Sequence, residues 1–236
     1  MNSIKIILKF ILKIKNDILG KVKRKEKVLV IGDSHAAVFY HKEFSKHPSY
    51  YFKVVSVGGA TVSGLTNPNS KTNANHTFMQ EIGNSGTSKV IILLGEVDTG
   101  FVIWHRAETY KESVSKMLEK ATYNYKSLIQ HSLDSGLEVI CLSTPLPTIF
   151  DNNNWGEVAN LRKGISASHM ERTVLTIDFN LKMEKICQNL KVSYINFDHQ
   201  SINDKGVVKN KLLNSNPLDH HYDYKEYAKM ILRELK

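Results

Sequence analysis

Residues 28–35 read Val-Leu-Val-Ile-Gly-Asp-Ser-His, and this stretch decides the fold. Its four consecutive apolar residues are typical of a strand that is buried on both faces. Gly32 ends the strand in a turn, and the residues from Ala36 to Lys46 have a helical composition. A buried strand, a glycine turn and a helix in this order predict the first unit of an α/β domain.

Four further apolar runs and three further helical stretches follow along the chain. The predicted strands are Val54 to Val57, Val90 to Leu94, Leu137 to Leu142 and Val192 to Phe197. The predicted helices are Ala107 to Ser135, Glu157 to Leu190 with a break, and Tyr222 to Leu235, whereas Thr66 to Thr77 and Asp151 to Asn154 have a loop composition. Buried runs that alternate with helices predict a three-layer α/β/α domain with a five-stranded, mainly parallel sheet, whose ligands bind beyond the carboxyl ends of the strands.

The formal net charge of +9 is concentrated near the N-terminus. Residues 5–27 hold eight lysines and one arginine against two acids, a local excess of +7. The remainder is close to neutral, so we expect no nucleic-acid partner. We predict a basic amphipathic helix over residues 1–26 and an α/β domain over residues 27–236.

Of 236 residues, only Cys141 and Cys187 are cysteines, which we predict to be buried free thiols of a reduced compartment.

Lysines interrupt the N-terminal helix about every fourth residue, so it lacks the ~18 to 20 apolar residues that span a bilayer. It also lacks the uninterrupted apolar core of a secretory signal. Three interpretations remain: a helix on an anionic membrane surface, a helix packed on its own domain or a dimer mate, or an export or anchor signal. The first predicts a cytoplasmic protein that is peripheral on the inner face of the membrane.

Ser34 lies on the turn after the first strand, where a serine is exposed and backbone amides favour negative charge. A serine hydroxyl is a weak nucleophile that needs an adjacent base. Residues 219–221 read Asp-His-His and precede the last predicted helix. A histidine from this stretch would serve as general base, and Asp219 would orient it. The alternative is that Asp33 and Ser34 only cap a helix.

The sequence resembles the SGNH (GDSL-like) hydrolase superfamily over about residues 28–228. The resemblance rests on four short blocks: the Gly-Asp-Ser turn after the first strand, a glycine turn after the second, a Gly-x-x-Asp turn after the third and the late Asp/His pair. The resemblance implies a flavodoxin-like fold, Ser34 as nucleophile and oxyanion donor, and a second donor at Gly58, with Gly59 as the alternative. It implies His221 as the base because Tyr227 follows it as in the family pattern, while His220 stays an alternative. We predict no cofactor, because the sequence has neither a phosphate loop nor a dinucleotide pattern, and no metal, because the remaining histidines lack metal-ligand spacing (His41, His47, His76, His131, His169 and His199). We also place Asp33 among the substrate-binding residues.

Two departures from the family pattern matter. The third block of the family reads Gly-x-Asn-Asp, and its asparagine side chain completes the oxyanion hole, whereas residues 95–98 here read Gly-Glu-Val-Asp. Val97 cannot donate a hydrogen bond. The family acid stands three residues before the histidine, but Asp219 stands two before His221.

Glu96, Asp98 and Arg106 form a further polar set after the third strand. We expect them to line the mouth of the site, where Arg106 would hold a substrate carboxylate or phosphate. The alternative is a solvated salt bridge among them.

These features lead to three hypotheses of function. The first is a serine-dependent esterase that removes O-acyl groups from a carbohydrate, so that its partner is an acylated sugar or another small ester. The second is an O-acyltransferase of bacterial surface-glycan synthesis, with the same serine and base. The third is a degenerate, glycan-binding protein, since Val97 and the shortened acid spacing depart from the family.

Overall fold

The computed structural model of the protein describes residues 25–151 and 164–235. The basic helix predicted for residues 1–26 lies outside the described residues, apart from Lys25 and Glu26, and Glu26 is the first residue of a strand. The predicted helix from Glu157 to Leu190 also lies partly outside them, and its described helical part begins at His169.

Five parallel strands form one sheet in the described part of the chain, and each overlaps a predicted apolar run, although the second strand begins at Tyr50, four residues before the run predicted from Val54. They are β1 (Glu26–Gly32), β2 (Tyr50–Ser56), β3 (Lys89–Leu93), β4 (Glu138–Leu142) and β5 (Ser193–Ile195). Their order is β2-β1-β3-β4-β5, so the chain first moves to one side of β1 and then to the other. The predicted five-stranded sheet is confirmed. Sheets of this order bind ligands in the crevice at the carboxyl ends of β1 and β3.

The α-helices of the described residues are α1 (Ala74–Asn84), α2 (Ile103–Tyr110), α3 (Val114–Asp134), α4 (His169–Leu190), α5 (Asp198–Ser201) and α6 (Tyr224–Glu234). After β1 the chain forms a 3-10 helix at Ser34–Tyr40 and a second one at Phe44–Lys46, where the sequence predicts one continuous helix. The loop prediction for Thr66 to Thr77 is wrong from Ala74 onward. Phe78 and Ile82 bury themselves against the sheet, and their burial stabilises α1 despite its polar composition.

Both faces of the sheet are covered. Leu29 and Ile31 of β1 pack with α1, α3 and α4 in one apolar core. Val28 and Val30 point to the opposite face and pack with the first 3-10 helix and α6 in a second core. The predicted three-layer α/β/α architecture is therefore confirmed, and it explains why the strands are apolar without alternation.

Cys141 on β4 and Cys187 on α4 are buried free thiols, as predicted. Burial raises the pKa of Cys141, and the adjacent Cys187 raises it further, so the Cys141 thiol stays protonated at neutral pH.

No helix within residues 25–151 and 164–235 combines the length and the apolar composition needed to cross a bilayer.

Candidate active site

The turn after β1 is fixed by a close approach between two strands. A Cβ atom on Gly32 would lie 2.1 Å from the carbonyl oxygen of Leu93, at the end of β3. The same carbonyl accepts a hydrogen bond from the backbone nitrogen of Asp33 at 3.2 Å. Only glycine fits at position 32, and Ser34 consequently begins its helix directly over the crevice between β1 and β3.

Asp33 is a helix cap. Its Oδ1 accepts a hydrogen bond from the backbone nitrogen of His35 at 2.8 Å and lies 3.2 Å from Nδ1 of the His35 ring. The side chain is 1% exposed. The assignment of Asp33 to the substrate-binding residues is therefore wrong, because its carboxylate faces its own helix, and the capping role that we kept as an alternative is the one observed.

Asp219 and His221 are joined by two hydrogen bonds to one oxygen. Oδ1 of Asp219 lies 2.5 Å from Nδ1 of His221 and accepts from the backbone nitrogen of the same residue at 3.0 Å. A tight turn of the backbone thus compensates for the missing residue in the family spacing. Partial burial raises the pKa of Asp219, but the hydrogen bonds from His221 outweigh it and lower the pKa to about 2. Asp219 is therefore a carboxylate at neutral pH.

His221 presents its second ring nitrogen without a partner. Because a carboxylate only accepts, Asp219 holds the proton on Nδ1, and Nε2 is left with a lone pair. Nε2 is buried and has no hydrogen-bond partner among the described residues. Burial lowers the pKa of His221, nearby His35 lowers it further, and Asp219 and Glu96 oppose the decrease. The ring is thus a neutral base at physiological pH.

The turn after β1 and the loop before α6 meet through His35. The ring centroid of His35 lies 4.5 Å from that of His221 and 5.6 Å from that of His220. Ser34 precedes His35 and is half-buried, but its hydroxyl makes no hydrogen bond to Nε2 of His221. His35 was not predicted to belong to the site, although its position directly after the candidate nucleophile was the available signal.

Two contacts attach the histidine loop to the segment after β4. The hydroxyl of Thr148 donates to the backbone oxygen of His220 at 2.5 Å, and the hydroxyl of Tyr222 accepts from the backbone nitrogen of Leu146 at 2.8 Å. Tyr222 is fully buried in the core beneath α6. These contacts lie on either side of His221, so the position of its ring is set by the core of the domain.

Glu96 approaches the histidines from β3. The preceding Gly95 has a φ of +123°, and a Cβ atom there would lie 2.5 Å from the hydroxyl oxygen of Thr144. This glycine turn directs Glu96 inward, where it is 2% exposed and its negative charge raises the pKa of His221. Glu96 therefore lies at the buried end of the crevice and not at its mouth, contrary to the expectation.

Asp98 does not line the mouth either, and Arg106 contacts the same loop as Asp98. Asp98 is 0% exposed, and its two oxygens accept from the backbone nitrogens of Val62 at 2.7 Å and Ser63 at 2.9 Å. Burial raises the pKa of Asp98 to about 6, although the hydrogen bonds from Ser63 and Val62 oppose the increase. Arg106 donates to the backbone oxygen of Ser63 at 3.1 Å. Both side chains hold the loop after β2, so the predicted polar lining is wrong for the buried Asp98, whereas a substrate contact of the half-buried Arg106 stays a prediction.

The glycine turn that supplies the second candidate oxyanion donor lies beside the first. The hydroxyl of Ser56 donates to the backbone oxygen of Asp33 at 2.9 Å, and the backbone nitrogen of Val57 donates to the backbone oxygen of Gly32 at 2.9 Å. Gly58 and Gly59 follow in an exposed turn, and Gly59 has a φ of +72°. The backbone amides of both glycines thus lie near the Ser34 turn, at the same edge of the sheet.

Comparison with solved structures places this arrangement among known folds. A GDSL-like lipase from Bacteroides thetaiotaomicron matches with a TM-score of 0.59 and 15% sequence identity, over 90% of this chain and 87% of the other. A carbohydrate acetylesterase from Sinorhizobium meliloti matches with a TM-score of 0.57 and 13% identity, over 89% and 98% of the two chains. An acetyl xylan esterase matches with a TM-score of 0.55 and 13% identity, over 89% and 100%.

No protein-family model matches the sequence, and no curated protein matches it. The three structural matches are nevertheless all described as lipases or esterases, and each covers about nine-tenths of this chain. The chain therefore has the fold of the SGNH/GDSL hydrolase superfamily.

Proposed function

We propose that this protein is a serine-dependent hydrolase of acyl esters, and that its substrate is an O-acylated carbohydrate. The observation that carries the proposal is the buried Nε2 of His221, which lacks a partner while Asp219 holds the opposite nitrogen at 2.5 Å. Such a pair is the base and orienting acid of a catalytic triad. The carbohydrate acetylesterase and the acetyl xylan esterase among the structural matches support an acylated sugar as the substrate class.

In the first half of the reaction, the Ser34 side chain turns toward His221. Nε2 takes the proton of the hydroxyl as Oγ forms a bond to the acyl carbon, and the carbonyl electrons move onto the carbonyl oxygen. Catalytic hydrogen bonds are often formed only when substrate binds, which is consistent with the absence of a hydrogen bond to Nε2 in this structure. The carboxylate of Asp219 stabilises the imidazolium that forms.

The negative charge on the carbonyl oxygen requires hydrogen-bond donors. The backbone nitrogen of Ser34, at the start of the 3-10 helix, is one, and the backbone nitrogen of Gly58 is the second, with Gly59 as the alternative. Val97 supplies none. Losing one oxyanion donor costs about 10² to 10³ in turnover, so we expect a slower enzyme than relatives that carry asparagine at this position.

In the second half, the imidazolium of His221 gives its proton to the sugar oxygen as the bond between that oxygen and the acyl carbon breaks. The sugar leaves with a free hydroxyl, and the acyl group stays on Ser34. Water then loses a proton to Nε2 and attacks the acyl carbon, and the bond between that carbon and Oγ breaks as His221 gives the proton to Oγ. The products are a deacylated sugar and a carboxylic acid.

Hydrolysis of p-nitrophenyl acetate and of an acetylated xylo-oligosaccharide by the wild type and Ser34→Ala tests this proposal. We expect Ser34→Ala to lose at least ~10³-fold in kcat, since the nucleophile is removed. The matched control is Ser115→Ala, because Ser115 is exposed on α3, and it should retain the wild-type rate. Equal rates for Ser34→Ala and the wild type would exclude the serine mechanism.

Acyl transfer to a sugar hydroxyl would use the same serine and base, with the acceptor in place of water. If acetyl-coenzyme A is consumed only after a glycan acceptor is added, the reaction of this protein is acyl transfer and not hydrolysis. A protein that binds acetylated sugar but neither hydrolyses it nor reacts with a serine-directed phosphonate would be the degenerate binding protein instead. Each outcome contradicts the esterase proposal in a different way.

A further inference from the structure

Three imidazoles converge at the carboxyl ends of β1 and β3. One ring nitrogen from each of His35, His220 and His221 lies within 4.8 Å of the other two. The rings of His220 and His221 are tilted by 34° with centroids 4.2 Å apart, and His35 approaches them from the turn after β1. A serine hydrolase mechanism uses only one of these histidines, so the other two have no part in the proposed reaction.

The carboxylates behind two of the rings have the arrangement found behind metal-binding histidines. Such a histidine usually gives its other ring N–H to a carboxylate, which fixes the tautomer and the ring orientation. Here Asp33 lies 3.2 Å from Nδ1 of His35, and Asp219 lies 2.5 Å from Nδ1 of His221. In His221, Nε2 is therefore the nitrogen directed to a ligand, and the Asp33 carboxylate fixes the orientation of the His35 ring in the same way.

The environment of His221 gives a second, independent indication. Its Nε2 is buried and without a hydrogen-bond partner among the described residues, and buried polar atoms of this kind are rare unless a water or an ion satisfies them. The buried carboxylate of Glu96 adds negative charge near the same ring. A lone pair next to a buried anion favours a cation as the missing partner.

We propose that His35, His220 and His221 bind one Zn²⁺ ion through their ring nitrogens, and that the bound ion inhibits the enzyme. Imidazole is the nitrogen ligand that Zn²⁺ prefers, and three histidines with one open position form a complete coordination set. Zinc–nitrogen bonds of about 2.0 to 2.1 Å require the rings to move together by roughly an ångström. Inhibition follows because the ion occupies the lone pair of His221 that would accept the Ser34 proton.

Binding and inhibition are separable. The inhibition rests on the proposed ester hydrolysis, whereas the binding rests only on the three rings. Titration of the full chain, free of any histidine tag, with Co²⁺ and with Zn²⁺ tests the binding. We expect the visible absorption of tetrahedral cobalt, its displacement by Zn²⁺, and one zinc ion per chain by calorimetry. If the wild type hydrolyses no ester, these titrations still test the site.

Two variants locate the ion. His220→Gln and His35→Gln should weaken zinc binding at least tenfold, and the exposed His199→Gln should bind like the wild type. Micromolar Zn²⁺ should inhibit ester hydrolysis by the wild type and by His199→Gln, reversibly with a chelator. His220→Gln should keep its own zinc-free rate when Zn²⁺ is added. If His35→Gln does not fold, the half-buried loop residue His220 provides the test.

Absence of saturable binding by the wild type below about 100 µM Zn²⁺ would overturn the site, because three-histidine zinc sites bind more tightly than this. Wild-type affinity in His220→Gln would also overturn it, since the ion would then lie elsewhere on the chain. Binding at the histidines without any loss of esterase activity would overturn the inhibition and leave the metal site intact.

Discussion

In the loop before α6, one carboxylate oxygen of Asp219 lies 2.5 Å from Nδ1 of His221 and 3.0 Å from its backbone nitrogen. Asp219→Asn would let the ring protonate on Nε2, the wrong nitrogen for a base. We expect kcat for p-nitrophenyl acetate to fall about 10³- to 10⁴-fold with the protein still folded. The control is Asp204→Asn at an exposed acid, which should retain full activity. A loss below tenfold would show that Asp219 does not orient the base.

The pH dependence of kcat/KM follows from the burial of His221. The general base must be unprotonated, and burial together with His35 lowers its pKa from the ordinary value of 6.5. The rate should therefore rise with pH through a midpoint below 6.5 and stay level toward pH 8. Measurements with a chelator present keep adventitious metal from distorting the profile. A midpoint above 7 would contradict a buried, neutral imidazole as the base.

Val97→Asn should restore the donor that the family uses at this position. Val97 is half-buried beside Glu96, and its backbone is helical, with φ −64° and ψ −32°. We expect kcat to rise about tenfold or more, because one oxyanion donor is worth about 10² to 10³ in turnover when well placed. The control Val97→Leu adds no donor and should not gain activity. An unchanged rate in Val97→Asn would show that another group already fills the position.

Gly32→Ala should destabilise the fold severely. The new methyl group would lie 2.1 Å from the backbone oxygen of Leu93, and neither strand can move without breaking the β1–β3 ladder. We expect the free energy of unfolding to fall by about 3 kcal/mol or more. Gly83→Ala is the matched control, because nothing lies within 4 Å of its Cβ position in α1, and it should gain up to about 1 kcal/mol. Urea denaturation measures both.

Asp98→Asn tests the structural role of this carboxylate. An amide oxygen can replace only one of the two acceptors for Val62 and Ser63, and the amide nitrogen would face the other N–H group. We expect a loss of about 1 to 3 kcal/mol, visible as a lower thermal midpoint, and a control Asp178→Asn on the exposed face of α4 should have no effect. Unchanged stability would mean that the loop is held without Asp98.

The strands were predictable because their side chains are buried on both faces, which requires continuous apolar runs such as 28–31 and 90–94. The Ser34 turn was predictable for a related reason, since only glycine fits at position 32 between two strands. The prediction was less successful for α1. Two buried apolar residues there outweigh an Asn- and Thr-rich composition, and the sequence does not show which surface they meet.

The polar residues after β3 could not be assigned from the sequence. Glu96, Asp98 and Arg106 look equivalent in the chain, but backbone geometry sends them to different places. Gly95 directs Glu96 toward the histidines, whereas Asp98 and Arg106 bind the loop at Ser63. The meeting of His35 with His221 is a tertiary contact between distant segments, and no local pattern encodes it.

The anchoring of the histidine loop also orders the assembly of the site during synthesis. Ser34 emerges early, with the first strand, whereas the loop of His221 is made last and is anchored by the hydrogen bonds from Thr148 to His220 and from Leu146 to Tyr222. Under the proposed mechanism, a nascent chain that has formed most of its sheet therefore presents a serine without its base. We expect its hydroxyl to stay unreactive toward esters until the final helix has docked.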